Sequence, residues 1–297
     1  MHFIRHNIVI TILTCFFLSG SSCYGTIIPF QSDSGKIIIP LRLNNHKMTL
    51  RFLFDTGANG MAICKSLADS MQLSKNYEQA TLFAGGNSRI TVSSGNTVHL
   101  SDSLVLENQS IAIFDAIDEG IDGVIGLNLA QEYRIGVDFD KQTITFSDYE
   151  KPAENIQGEA IPITYDQIVR LPVTLNLTGD KAISGNFIFD TGANYHIIAF
   201  SRFVRKNRLL LSGFKPEEQS STVSMGHATT VFSGKAKQFE LTPDLVFADI
   251  PIALQSSSDK NYTEDFPDGS IGILLINNYN FTLDLLEKKL YLSFRIH

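Results

Sequence analysis

Cysteine is scarce in this sequence: the 297 residues hold only Cys15, Cys23 and Cys64. No disulfide framework is expected from so few, and Cys64 reads as a small, buried, apolar side chain rather than a nucleophile. Charge is sparse as well. Charged residues make up 19 %, the formal net charge is −7, and no basic block or stripe stands out, which argues against a nucleic-acid partner. The seven histidines show no His-Glu-x-x-His spacing, and their one i,i+4 pair is His2 with His6 at the extreme N-terminus. His196 and His227 stand alone and read as structural or surface residues. There is no Gly-x-Ser-x-Gly elbow and no phosphate-cradling Gly loop, so neither metal, cofactor nor serine-nucleophile chemistry is expected. Beyond the N-terminus no run is long and apolar enough to cross a bilayer. What the chain does have is 43 % apolar residues, enough for a sizeable core.

Residues 1–25 read as an export signal. Arg5, with His2 and His6, precedes the apolar run Ile8 to Leu18, and Ser19-Gly20-Ser21-Ser22 follows. That run has signal-peptide length and is short for a membrane span. Cys23, directly after the small residues, is a candidate lipid-bearing residue and the chain's one expected link to a membrane. The expected location is therefore the bacterial periplasm, the outer membrane through a lipid anchor, or the outside of the cell.

One stretch occurs twice: Phe52-Leu53-Phe54-Asp55-Thr56-Gly57-Ala58-Asn59 and Phe187-Ile188-Phe189-Asp190-Thr191-Gly192-Ala193-Asn194. A lone Asp-Thr-Gly carries little weight, but two copies with matching flanks do. The tails repeat too. Asp122-Gly123-Val124-Ile125-Gly126 matches Asp268-Gly269-Ser270-Ile271-Gly272, and the alignment runs without a gap to Ser147 and Ser293. The offset is 135 at the two acids and 146 in the tails, so the second half carries 11 additional residues in its middle. This is an internal duplication of one unit.

The unit is β-rich. Lys36 to Leu43 and Met48 to Phe54 read as strands around the turn Asn44-Asn45-His46-Lys47. Ala62 to Leu73 has helical spacing at Ile63, Leu67 and Met71. Ala80 to Ala84 and Arg89 to Val92 read as a hairpin around Gly85-Gly86-Asn87, and short strands are expected at 97–100, 104–106 and 111–114. Arg134 to Phe146 reads as a further hairpin. Asp148 to Glu159 is a charged linker with Pro and Gly, giving expected units at 26–150 and 151–297. In the second unit Ile197 to Leu211 has helical spacing, and its Arg202, Arg205, Lys206 and Arg208 read as a solvated face. Asp122, Asp138, Asp268 and Asp284 read as turn or hairpin residues.

The repeated motif resembles the active-site turn of the aspartic peptidases, pepsin-like and retropepsin-like, in which two apolar residues precede Asp-Thr-Gly. Val124-Ile125-Gly126 and Ser270-Ile271-Gly272 resemble that family's second signature, which crosses behind the turn. The resemblance spans about Lys36 to Phe294. It implies a mostly β fold of two homologous β-barrel-like lobes with short helices and a cleft between them. It also implies a monomer, since one chain supplies both acids. Thr56 and Thr191 would hydrogen-bond across the lobe interface. Ala58 and Ala193 match the retroviral type; the pepsin type has Ser or Thr there, whose hydroxyl supports the carboxylate. The family covers its cleft with a hairpin flap. Phe83, Gly85 and Gly86 are the candidates in the first half, and Met225 and Gly226 in the second; a pepsin-type flap Tyr is missing.

The chemistry follows from the residues. Hydrolysis of a peptide bond without a metal needs a base to activate water and an acid for the leaving group. Two carboxylates about 3 Å apart cannot both ionise and so share one proton. Asp55 and Asp190 are the candidate pair, and Gly57 and Gly192 allow the backbone to turn tightly beneath them. The expected activity is aspartic endopeptidase on a polypeptide substrate. The alternative is an envelope protein that binds peptide or cell-wall fragments without cutting them.

Overall fold

Ile168–Asn176 alternates along its whole length, with Val169, Leu171, Val173 and Leu175 buried and the residues between them facing outward. This period of two sets a strand with one wet face, and it recurs in most of the strands. A computed structural model describes residues 25–83, 86–151, 156–179, 181–224, 227–257 and 265–296. The expected export signal, residues 1–25 with Cys23 included, lies outside the described residues except for Gly25.

The strands form three sheets. In the first half Lys36–Leu43, Leu50–Phe54, Gly123–Ile125, Met61–Cys64, Val105–Phe114 and Gly86–His99 pair in that order. Arg42 opposite His99 and Leu43 opposite Val98 close the series into a barrel. The second half repeats the order with Ile168–Asn176, Ala182–Phe189, Gly269–Ile271, Ile197–Ala199, Leu245–Ser256 and His227–Thr242, closed through Thr174 opposite Glu240. The fold is mostly β with short helices, as expected.

The third sheet belongs to both halves. Its six strands run Thr26–Pro29, Thr143–Asp148, Tyr133–Asp138, Tyr279–Asp284, Lys289–Phe294 and Glu159–Pro162. At its centre Gly136 faces Thr282 in an antiparallel pair, where the two halves meet about an approximate two-fold axis. One continuous core runs through both halves, and the Phe189 and Phe281 rings meet edge to face at 5.1 Å within it. Two barrel-like lobes therefore share a sheet built from the hairpin expected at 134–146 and its repeat.

Both expected long helices begin instead as strands. Met61–Cys64 pairs with Ile111–Phe114 on one side and Gly123–Ile125 on the other, and the helix is confined to Lys65–Ser70. Ile197–Ala199 is likewise a strand, followed by the helix Ser201–Lys206 and a 3₁₀ turn at Leu209–Leu211. A strand buried on both faces shows no alternation, so its apolar run reads equally well as a helix face. The short strands expected at 104–106 and 111–114 are one strand, Val105–Phe114. Cys64 is half-buried at the start of its helix, its Sγ 3.6 Å from Ser66 Oγ.

The recurrent acids do more than turn. Asp122 Oδ2 accepts the Arg51 N–H at 2.8 Å, and Asp268 Oδ2 accepts the Asn186 N–H at 3.0 Å. Each extends a parallel ladder by one rung and fixes its register. Asp284 accepts the Glu287 N–H at 2.9 Å, a hairpin role, but it is also fully buried and pairs with Arg134 Nε at 2.6 Å. Its repeat partner Asp138 is half-exposed and pairs with Lys141. Removing one member of a buried pair leaves the other charge unpaired. Asp284→Ala is therefore expected to destabilise the fold by about 3–5 kcal/mol in urea unfolding, whereas the joint replacement Arg134→Met with Asp284→Leu is expected to be neutral or stabilising.

Candidate active site

Each half delivers its acid at the end of a buried strand. Phe52, Leu53 and Phe54 are buried and lead to Asp55; Phe187 and Phe189 do the same before Asp190. The Asp55 N–H donates to the Ile125 carbonyl at 3.0 Å, and the Asp190 N–H to the Ile271 carbonyl at 3.0 Å. The chain then turns back on itself. The Gly57 N–H donates to Asp55 Oδ1 at 2.8 Å, and the Gly192 N–H to Asp190 Oδ1 at 3.1 Å. The crossing strand secures each turn from behind: the Leu127 N–H donates to the Ala58 carbonyl at 2.9 Å, and the Ile273 N–H to the Ala193 carbonyl at 2.8 Å. A Cβ on Gly126 or Gly272 would stand 2.3 Å from the carbonyl oxygen of Ala58 or Tyr195. That crossing therefore admits only glycine.

The two turns meet at the axis. The Thr56 N–H donates to Thr191 Oγ1 at 3.0 Å, and the Thr191 N–H donates to Thr56 Oγ1 at 3.1 Å. The Thr56 hydroxyl donates to the Phe189 carbonyl at 2.5 Å, and the Thr191 hydroxyl to the Phe54 carbonyl at 2.7 Å. Both threonines have no exposed surface. The interlock sets each acid over the glycine of the opposite half. A Cβ on Gly57 would lie 2.7 Å from Asp190 Cγ, and one on Gly192 only 2.4 Å from Asp55 Cγ. Glycine is required here for close approach, in addition to the tight turn expected of it.

The Asp55 and Asp190 carboxyls hydrogen-bond to one another. Burial raises both above the ordinary carboxylate range. Donors from the Gly57, Gly192 and Ala58 N–H groups pull Asp55 part of the way back. Asp190 is raised further by the neighbouring Asp55 charge. Such a pair titrates as a unit and holds one proton at a pH where a free aspartate has none.

Two further side chains touch this pair, and sequence reading passed over both. The Ser270 hydroxyl, fully buried, donates to Asp190 Oδ2 at 3.3 Å. The Tyr195 phenol contacts Ser270 and senses the charge of both acids, and burial pushes it well above its usual range. The signals were present: Ser270 stands where the first half has Val124, and Tyr195-His196 replaces the single Gly60 before the next strand.

The flap candidates form matching hairpins. Tyr77–Phe83 pairs with the start of Gly86–His99, Phe83 lying opposite Gly86; Glu218–Ser224 pairs with His227–Thr242, Ser224 lying opposite His227. Pairing to the third strand begins only at Thr91 and at Thr230, so both tips extend past their barrels. Gly85, Met225 and Gly226 lie outside the described residues. A cavity of about 580 Å³ opens beside the first turn, lined by Asn59, Gln131, Tyr149, Tyr165, Leu285 and Leu286 together with Gln167. Across the axis the equivalents of Tyr149, Leu285 and Leu286 are Arg295, Phe139 and Asp140. There Arg295 lies over the Phe139 ring and pairs with Asp140 at 2.9 Å. Among the described residues no group of three or more His, Cys, Asp or Glu side chains is placed to hold a metal.

Residues 39–129 match the family model described as aspartyl protease. No curated protein matches the sequence. Among solved structures the chain is similar to an aspartic proteinase from Irpex lacteus, with a TM-score of 0.57 and 13 % identity, covering 91 % of this chain and 97 % of that one. At that identity the likeness speaks for the fold alone. The family model thus matches around the first acid, and the fold similar to that aspartic proteinase is repeated around the second.

Proposed function

We propose that this protein is an aspartic endopeptidase in which Asp55 and Asp190 together activate water against a peptide bond. The observation that carries the reading is the hydrogen-bonded carboxyl pair at the axis, raised by burial and clamped by Thr56 and Thr191. A pair holding one proton supplies both roles that hydrolysis needs. The ionised member takes a proton from water, while the protonated member donates to the carbonyl oxygen of the scissile bond. The resulting tetrahedral intermediate collapses by proton transfer to the leaving amine, with no acyl-enzyme. Gly57, Ala58, Gly192 and Ala193 form the bed on which the acids sit. The projecting hairpins, with Phe83 and Gly86 at one tip, would cover substrate. The signal-like N-terminus supports export, with one chain sufficient for the site.

Asp55→Asn and Asp190→Asn are each expected to lower kcat on an unfolded protein substrate by about 10²–10⁴-fold, with the fold retained. Cleavage by either variant at the parent rate removes the assignment. Peptide retained uncut by the parent across the pH range supports the binding-only alternative.

The raised pair also sets a stability signature. A folded-state pKa above the unfolded value stabilises the fold at low pH, and the contribution is lost as pH rises through the folded pKa. Asp190→Asn removes that loss. The variant is expected to melt higher than the parent at neutral pH, with the gap closing as pH falls towards the ordinary carboxylate range, as read by thermal unfolding at stepped pH.

A further inference from the structure

The two halves do not support their acids equally. Both turns carry Ala after Asp-Thr-Gly, so neither Ala58 nor Ala193 offers a hydroxyl. In the first half the crossing strand has Val124 behind the turn, equally without one. In the second half the crossing strand has Ser270, whose hydroxyl reaches Asp190 Oδ2 at 3.3 Å. A serine has one O–H to give. That O–H goes to the carboxyl, and the Tyr195 phenol adjoins the same hydroxyl. The Tyr195 ring is fixed for this. A Cβ on Gly272 would lie 2.7 Å from the ring Cδ2, and Ile198, Phe200, Val231 and Phe266 pack in the same small cluster.

We propose that Ser270 is a positioning residue for the acid pair: its hydroxyl, oriented by the Tyr195 phenol, holds the Asp190 carboxyl in place and favours its charged form, a support the first half lacks. The proposal rests on the reading of the pair as the reacting site. Among the described residues the titratable groups facing Asp190 are Asp55 across the axis and the Tyr195 phenol. His196, next along the turn, is lowered from its usual range by burial alone. The Ser270 hydrogen bond draws Asp190 down, against burial and the Asp55 charge. Losing it therefore raises both apparent ionisations of the pair, and the whole bell of kcat/KM against pH moves to higher pH.

The test compares two replacements of one shape. Ser270→Val copies the residue of the first half, while Ser270→Thr has the same outline and keeps the hydroxyl. Ser270→Val is expected to move both limbs of the bell upward by about half to one pH unit. Ser270→Thr is expected to hold the parent profile, and Tyr195→Phe to move it the same way as Val by less. A kcat loss in Ser270→Val with unmoved limbs overturns the proposal, as does an equal shift in Ser270→Thr. If the parent cleaves nothing at any pH, the peptidase reading fails separately. Infrared titration of the protonated carboxyl band in the same proteins then decides: a band that persists to higher pH in Val than in Thr supports the Ser270 role, and coincident titrations end it.

Discussion

Everything in this molecule depends on two buried threonines that exchange hydrogen bonds across an axis. Thr56 and Thr191 each give an N–H to the other's hydroxyl and a hydroxyl to the carbonyl before the opposite acid. A net hydrogen bond is worth only about 1 kcal/mol, but an orphaned buried partner costs about 1–3 kcal/mol. Both threonines are fully buried, so the four bonds form together or leave several groups unsatisfied. This makes the interlock a register device: it allows one relative placement of the halves, the one that sets each carboxyl over the opposite glycine. The shared six-stranded sheet works to the same end from below. Its two central strands, Tyr133–Asp138 and Tyr279–Asp284, each follow a crossing segment after one short helix.

Duplication made the site legible before the fold was. Asp55 and Asp190 stood out because their flanks matched, and the tails showed that both copies occupy the same place in a repeated unit. The hairpin at 134–146 was readable from alternation, although the pairing of Gly136 with Thr282 was not, because contacts between distant segments leave no local pattern. Met61–Cys64 and Ile197–Ala199 were hidden for another reason. A strand buried on both faces has no period of two, and the polar residues after it complete a false helical spacing. Asp284 was read as a hairpin residue, which it is. Its pairing with Arg134 could not be read, since the two lie far apart in sequence.

The departures from symmetry carry the second lesson. Offsets between equivalent residues place the 11 extra residues. They read 135 at the acids, 136 at Met61 and Ile197, 141 at Tyr77 and Glu218, and 146 at Gly123 and Gly269. One residue therefore enters in the turn that carries Tyr195, five before the second hairpin, and five before the second crossing strand. The first of these, with Ser270 in place of Val, puts a hydroxyl pair beside one acid only. Across the axis Arg295 stands where the first half has Tyr149, lies over Phe139 and pairs with Asp140. Two copies of one unit thus become unequal at the acids.

The central claim is that Asp55 and Asp190 act as one acid holding one proton. The measurement that tests it most directly is a ¹³C NMR titration of the aspartate carboxyls, with Asp55→Asn and Asp190→Asn to assign the two signals. The account predicts that the signals move together in two separated steps, the upper one well above the ordinary aspartate range, and that either Asn replacement collapses the steps into one. Two independent transitions near the ordinary value, each unaffected by replacing the other residue, would contradict it.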